Sequence, residues 1–275
     1  MTMRKKGKVA DTAETSSQST LYRLKNGKDA AHLFSGWQET IIWSCLQNVM
    51  GTILVTEQAK PKAAVAALGD FCFFAGTPDP ALVSQAPECC GRDYLLMIPQ
   101  NDQWAALIEE YYAGSCKKVM RYALKKEKEG FDEKKLKDAV SDLPSGYTMK
   151  TVDRVLFQQC RELSWCGDFV SNYESYDAYQ SRGLGTVILK DGEIVSGASS
   201  YSGYNGGIEI EIDTRADHRR KGLAFAAGAR LILDCLEREW YPSWDAHNRD
   251  SLSLAEKLGY RFSHEYTAYE YKERE

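Results

Sequence analysis

Residues 217–224 read DHRRKGLA, so two arginines and a lysine run into a glycine just before an apolar stretch of helical character. A strand that ends in glycine-bearing backbone at a helix start aims several free N–H groups at one point, and the helix dipole adds positive potential there. That arrangement receives anions, and a diphosphate is a common occupant. Arg219, Arg220 and Lys221 add charge, Gly222 lets a phosphate approach the backbone, and Ala224 keeps the first turn narrow. On these residues alone the alternative is a solvated basic cap, because a lone glycine turn is a weak motif. Neither G-x-x-x-x-G-K-[ST] nor G-x-G-x-x-G is present.

The elements around this turn follow from pattern. After Tyr147 the chain reads as strand, amphipathic helix (RVLFQQCRELSW), a tyrosine-rich helix (DFVSNYESYDAYQSRG), and a hairpin turning at Asp191-Gly192. A second turn at Asn205-Gly206 leads into IEIEIDT, where Ile208, Ile210 and Ile212 face one way and Glu209, Glu211 and Asp213 the other. The basic turn follows, then the helix LAFAAGARLILDCLERE, the strand YPSWDAH, the helix RDSLSLAEKLG and a strand region YRFSHEYTAYEY. This order predicts an α/β (α+β) domain on a mixed, mostly antiparallel sheet flanked by helices.

In that setting the sequence resembles the GCN5-related N-acetyltransferase (GNAT) superfamily over about residues 146–275. Arg219-Arg220-Lys221-Gly222-Leu223-Ala224 matches its [QR]-x-x-G-x-[GA] motif, and NRDSLSLAEKLGYRF is similar to its N-x-x-[AS]-x-x-L-x-x-K-x-G-[FY] helix, with Asn248, Ser251, Leu254, Lys257, Gly259 and Tyr260 in place. The resemblance implies acetyl-CoA as cosubstrate. Backbone N–H groups across Arg220, Lys221, Gly222, Leu223 and Ala224 would hold its pyrophosphate. Ile212, Asp213 and Thr214 would pair with the pantetheine arm, Asn248 would hold the cofactor near its thioester end with Ser251 as a further cofactor-binding residue, and a backbone N–H near Ile212 or Asp213 would stabilise the carbonyl oxygen. Many members carry a tyrosine acid seven residues after that asparagine, where this chain has Ala255. Tyr260, Tyr201 and Tyr204 are substitutes, or buried structural tyrosines.

Acetyl transfer to an amine needs a base, and a carboxylate accepts that proton directly or through water. Glu209 and Glu211 are the catalytic candidates, since they share the strand face implied to lie beside the thioester. Each is alternatively a cross-strand ion-pair partner. Tyr173, Tyr176 and Tyr179, with Trp165 and Asp168, read either as core packing or as an aromatic wall for a cationic amine. His218 and His247 read as polar structural histidines, and the adjacent Cys89-Cys90 as structural.

The rest of the chain sets bounds. Residues 1–20 read as a polar tail without a signal-peptide core, and 21–137 as an N-terminal α/β domain of unclear type, joined by a charged, Pro/Gly-punctuated stretch to the GNAT-like domain at 143–275. The charged run KKEKEGFDEKKLKD reads as a solvated helix face. The N-terminal half shows a loosely similar element order without a basic turn, which leaves a degenerate GNAT-like half open. It covers the sheet, shapes the amine pocket or mediates a homodimer. A net charge of −4 argues against general nucleic-acid binding, and no apolar run reaches the roughly 18 residues needed to span a bilayer. Eight scattered cysteines predict core hydrophobes in a reducing, cytoplasmic compartment and no zinc or other metal site. The function expected is transfer of acetyl from acetyl-CoA to a primary amine of a small molecule or peptide. The alternatives are a non-catalytic acyl-CoA sensor and an interaction scaffold.

Overall fold

The computed structural model describes residues 20–86 and 94–272; the expected tail at 1–19 and Cys89-Cys90 lie outside the described residues. The strands, in chain order, are β1 (Tyr22–Arg23), β2 (Thr52–Val55), β3 (Ala63–Leu68), β4 (Phe71–Gly76), β5 (Tyr94–Pro99), β6 (Cys116–Leu124), β7 (Tyr147–Thr151), β8 (Gly185–Lys190), β9 (Glu193–Tyr204), β10 (Gly207–Thr214), β11 (Tyr241–Ser243), β12 (Asp245–Ala246) and β13 (Phe262–Lys272). The α-helices are α1 (Thr40–Leu46), α2 (Pro80–Ser84), α3 (Asp102–Tyr112), α4 (Glu133–Ser141), α5 (Arg154–Glu162), α6 (Tyr176–Arg182), α7 (Leu223–Glu237) and α8 (Arg249–Leu258). This is the mixed, mainly antiparallel α/β architecture that the sequence predicts.

Two sheets organise these strands. One runs β11-β10-β9-β8-β7; the other runs β1-β2-β3-β4-β5-β13-β6-β12. The first five strands of each half follow the same plan. Three antiparallel pairings lead to a final parallel one, β4 with β5 in the N-terminal half and β10 with β11 in the C-terminal half. The decayed repeat thus has a topological counterpart. Strand β13 then inserts between β5 and β6, so the two halves share a sheet.

Local sequence explains the parts that matter for the site. At the β8–β9 hairpin Asp191 and Gly192 both take positive φ, 51° and 86°, as an Asp-Gly two-residue turn requires. The isoleucines of β10 pack with Leu231 and Ile232 of α7 in one core, leaving the glutamates on the opposite face. Helix α7 lies close to this sheet because Gly228 has no side chain. A Cβ there would stand 2.8 Å from Leu258 Cδ1 and 3.0 Å from Ile212 Cδ1. The second part of the charged run, from Glu133, forms α4, whose exposed pairs Lys134–Asp138 and Lys137–Glu133 flank a buried Leu136. The solvated-face reading describes its outer side, and Leu136 packs into the α7 core.

The tyrosine-rich stretch differs from expectation. Its helix is only Tyr176–Arg182, because the Ser175 side chain accepts from the Ala178 N–H and starts the helix there. Tyr173 lies outside it, so the three tyrosines do not form one helical stripe. Tyr173 and Tyr179 are buried in the core under α5, with hydroxyls bonded to Ser200 and Ser199.

One buried ion pair joins the halves. Arg121 on β6 donates to Asp245 on β12 at 2.5 Å, with side-chain exposures of 8% and 15%, and Tyr266 donates to the other Asp245 oxygen. Removing one member of such a pair strands the other charge, which costs about 3–5 kcal/mol. Arg121→Met is therefore expected to lower the unfolding free energy by about that amount in urea titrations. Arg121→Met combined with Asp245→Leu should recover most of the loss. A single-variant loss under about 1 kcal/mol would show that the pair is not desolvated as described.

Candidate active site

The basic turn forms a concave patch of unused donors. Arg220 has φ 65° and Gly222, which precedes the first residue of α7, has φ 79°. No side chain caps α7, and among the described residues nothing accepts from the N–H groups of Arg220, Lys221, Gly222, Leu223 or Ala224. Successive backbone donors of this kind make an anion nest, strengthened by the helix dipole. A Cβ on Gly222 would meet nothing within 4 Å, so the space over it is open. The cations are partly committed. Arg219 Nε donates to Thr214 O at 3.0 Å, and Lys221 Nζ to Asp217 O at 3.1 Å. These residues fit a diphosphate, with backbone donors in the middle and exposed positive side chains around them.

The strand that leads into the turn has an open edge. Strand β10 pairs with β11 only over Gly207–Glu209, the last pair being Glu209 with Ser243. Beyond it the chain leaves β10, and Asp245 and Ala246 pair instead with Ala123 and Tyr122 of β6. Among the described residues, the edge of β10 opposite β9 is thus left without a neighbouring strand from Ile210 to Thr214. At the same point the β9–β10 register shifts by one residue, Tyr201 being the extra one between the pairs Glu209–Ser202 and Ile210–Ser200. The parting has visible causes. Trp244 is buried against Tyr260, and Asp245 is drawn to Arg121.

The remaining motif residues sort differently. Asn248 caps α8 by accepting from the Ser251 N–H at 2.9 Å. Ala255 is fully buried beside α7. The three tyrosines considered as substitutes are all engaged. Tyr260 donates to Pro242 O, Tyr204 to Tyr241 O and Tyr201 to Asp70. His218 lies between Tyr147 and Arg215, and His247 against Arg121.

The two glutamates stand in distinct environments. Glu209 is buried at the mouth of the parting; one carboxylate oxygen accepts from Thr40, and Oε1 has no hydrogen bond among the described residues. Burial holds its carboxyl above the ordinary range, partly offset by Lys126, the Thr40 hydroxyl and the Ser243 hydroxyl beside it. Beside it lie Asp245 and a third carboxylate, Glu39, whose Oε2 is also buried and unpaired among the described residues. Glu39 and Thr40 come from the N-terminal half. No motif marks them, and 169 residues separate Thr40 from Glu209.

Glu211 is pushed up to about 8, first by burial and then by Asp168 and Asp213, with Arg121 pulling the other way. Its neutral form therefore suits the folded state. The resulting penalty is absent below the usual carboxyl range, grows as pH rises, and is complete above about 8. Glu211→Gln should accordingly stabilise the protein at pH 8, by on the order of a few kcal/mol, and do little near pH 4. Denaturant titrations at the two pH values read this directly. An equal effect at both would mean that Glu211 is not desolvated.

A sequence model of GNAT acetyltransferases matches residues 31–269. The chain belongs to the GNAT acetyltransferase family. The match reaches well into the N-terminal half, beyond the region marked by motifs, in keeping with the repeated strand plan. The uncharacterized N-acetyltransferase YdfB of Bacillus subtilis (strain 168) is 25% identical over 251 residues, covering 84% of this chain and 89% of that protein. A GCN5-related N-acetyltransferase-like protein from Streptococcus suis 89/1591 is 46% identical, with a TM-score of 0.85, over 90% of this chain and 98% of its own. A tandem GNAT protein from the clavulanic acid biosynthesis pathway shares the fold, at 13% identity and a TM-score of 0.53, over 93% of this chain and 99% of its own. Among the described residues no group of side chains could hold a metal ion, and no helix is long and apolar enough to cross a membrane.

Proposed function

We propose that this GNAT acetyltransferase moves an acetyl group from acetyl-CoA to a primary amine. The observation that carries the reading is the set of orphan amides at 220–224, which follow in sequence the strand whose open edge and Glu209 Oε1 are unpaired among the described residues. Acetyl-CoA bound there would supply the activated acetyl group. The nest N–H groups and Arg220 hold the diphosphate. The edge at Ile212 offers backbone bonds to the arm; those of Asp213 and Thr214 are partly engaged, since the Asp213 carbonyl accepts from Ser196, the Thr214 N–H donates to Asp213 and the Thr214 carbonyl accepts from Arg219. A backbone N–H at Ile212 or Asp213 faces the developing negative charge on the carbonyl oxygen. With its Oδ1 engaged at the helix start, Asn248 has its amide N–H groups to offer.

Glu209 acts as the general base. It removes one proton from the acceptor nitrogen, a C–N bond forms as the C–S bond breaks, and the second nitrogen proton reaches solvent. With Ala255 in the tyrosine position and the other tyrosines engaged, solvent protonates the departing sulfur. The N-terminal half contributes to the amine pocket through Glu39 and Thr40. The buried cysteine side chains suit a reducing compartment such as the cytoplasm.

Release of CoA, followed over a panel of small amines and peptides, tests the reading. At least one amine should raise release well above that in water alone. Tight acetyl-CoA binding with no amine response would favour a non-catalytic acyl-CoA sensor, which the missing tyrosine also suits.

A further inference from the structure

The amine pocket admits a sharper description, which rests on the acetyltransferase reading above. Where segment 36–39, β13 and the start of α3 meet, a cavity of about 340 Å³ opens. Its apolar walls include Trp37, Phe73, Ile98 and Tyr266, with the Trp37 and Phe73 rings edge to face at 5.5 Å. A second, much smaller cavity of about 20 Å³ shares Glu39, Phe73 and Tyr266 with it and reaches Glu209 and Asp245. The small cavity has room for one water-sized atom. It is lined by the two glutamates whose unpaired carboxylate oxygens are buried, Oε2 of Glu39 and Oε1 of Glu209. Buried carboxylate oxygens without donors carry a desolvation penalty that a bound ammonium relieves.

We propose that the large cavity is the acceptor site, taking a small monoamine with an apolar or aromatic body, whose nitrogen enters the small cavity between Glu39 and Glu209. Trp37 and Phe73 flank the body, and Glu39 pairs with the ammonium while Glu209 receives its proton. The volume suits on the order of ten non-hydrogen atoms. In the small cavity Glu39 and Glu209 face one cation, Lys126, while Asp245 is paired with Arg121, so the uncompensated charge favours one further cation. This gives the N-terminal half a role in choosing the substrate.

Steady-state kinetics with phenethylamine, tryptamine, ethylamine, spermidine and an aminoglycoside, together with calorimetric titration of acetyl-CoA, tests the assignment. Wild-type protein should show its highest kcat/KM with phenethylamine or tryptamine. Glu39→Gln should raise the KM for phenethylamine at least tenfold and leave the acetyl-CoA Kd within twofold. Ala105→Phe, which narrows the large cavity from α3, should raise the KM for tryptamine more than that for ethylamine. Acetylation of amines with unchanged KM in both variants would overturn the assignment and leave the acetyltransferase reading standing. A preference for spermidine or the aminoglycoside would overturn the substrate class. Wild-type protein that binds no acetyl-CoA would overturn the underlying reading itself.

Discussion

Gly222→Glu is expected to weaken acetyl-CoA binding at least a hundredfold, about 2.7 kcal/mol, while the chain stays folded. Two effects act together. The added carboxylate stands in the open space over the nest, where a Cβ at this position would have nothing within 4 Å, and meets the diphosphate with like charge at the donors it needs. The backbone at φ 79° also disfavours any side chain, by roughly 1–2 kcal/mol. Gly222→Ala separates the two, since it carries the backbone penalty without the charge. It should lose some stability and keep most of the affinity. Calorimetry on both variants, with thermal unfolding as a control, makes the comparison. If the glutamate variant binds like the alanine variant, charge at this spot is irrelevant and the diphosphate sits elsewhere.

Glu209→Gln is expected to lower kcat/KM for the amine by 10²–10⁴, the usual range for loss of a general base, with little change in acetyl-CoA affinity. The wild-type rate should rise with pH through the titration of Glu209, whose pKa burial sets above the ordinary carboxylate value. The variant should lose that limb of the profile. Glu211→Gln offers the contrast, because Glu211 is mostly protonated at neutral pH and lies away from the small cavity. A loss below about threefold in Glu209→Gln would remove this residue from the mechanism.

The parts of the site that local chemistry determines were legible in the sequence. Alternation at 208–213 showed which β10 residues face the helix. The glycine before an apolar helix implied free amides at the helix start, and α7 has no side-chain cap. Residues defined by long-range pairing were not legible. Arg121 and Asp245 lie 124 positions apart, and neither has a local signature. Glu39 looks like any polar residue ahead of a helix until β13 and β6 enclose it. The insertion of β13 between β5 and β6 depends on partners from the other half, so no periodicity within 262–272 encodes it. Tyr173 falls outside the expected helix for a local reason, since Ser175 outcompetes continuation of the helix by capping a new start.

The central claim is that the uncapped amides at the start of α7 grip the diphosphate of coenzyme A. A crystal structure of the complex with acetyl-CoA tests it most directly. Diphosphate oxygens should lie about 3 Å from backbone nitrogens between Arg220 and Ala224, with the thioester at the parting of β10 and β12 near Glu209. A diphosphate bound away from these nitrogens, whether in the N-terminal half or elsewhere on the surface, would contradict it.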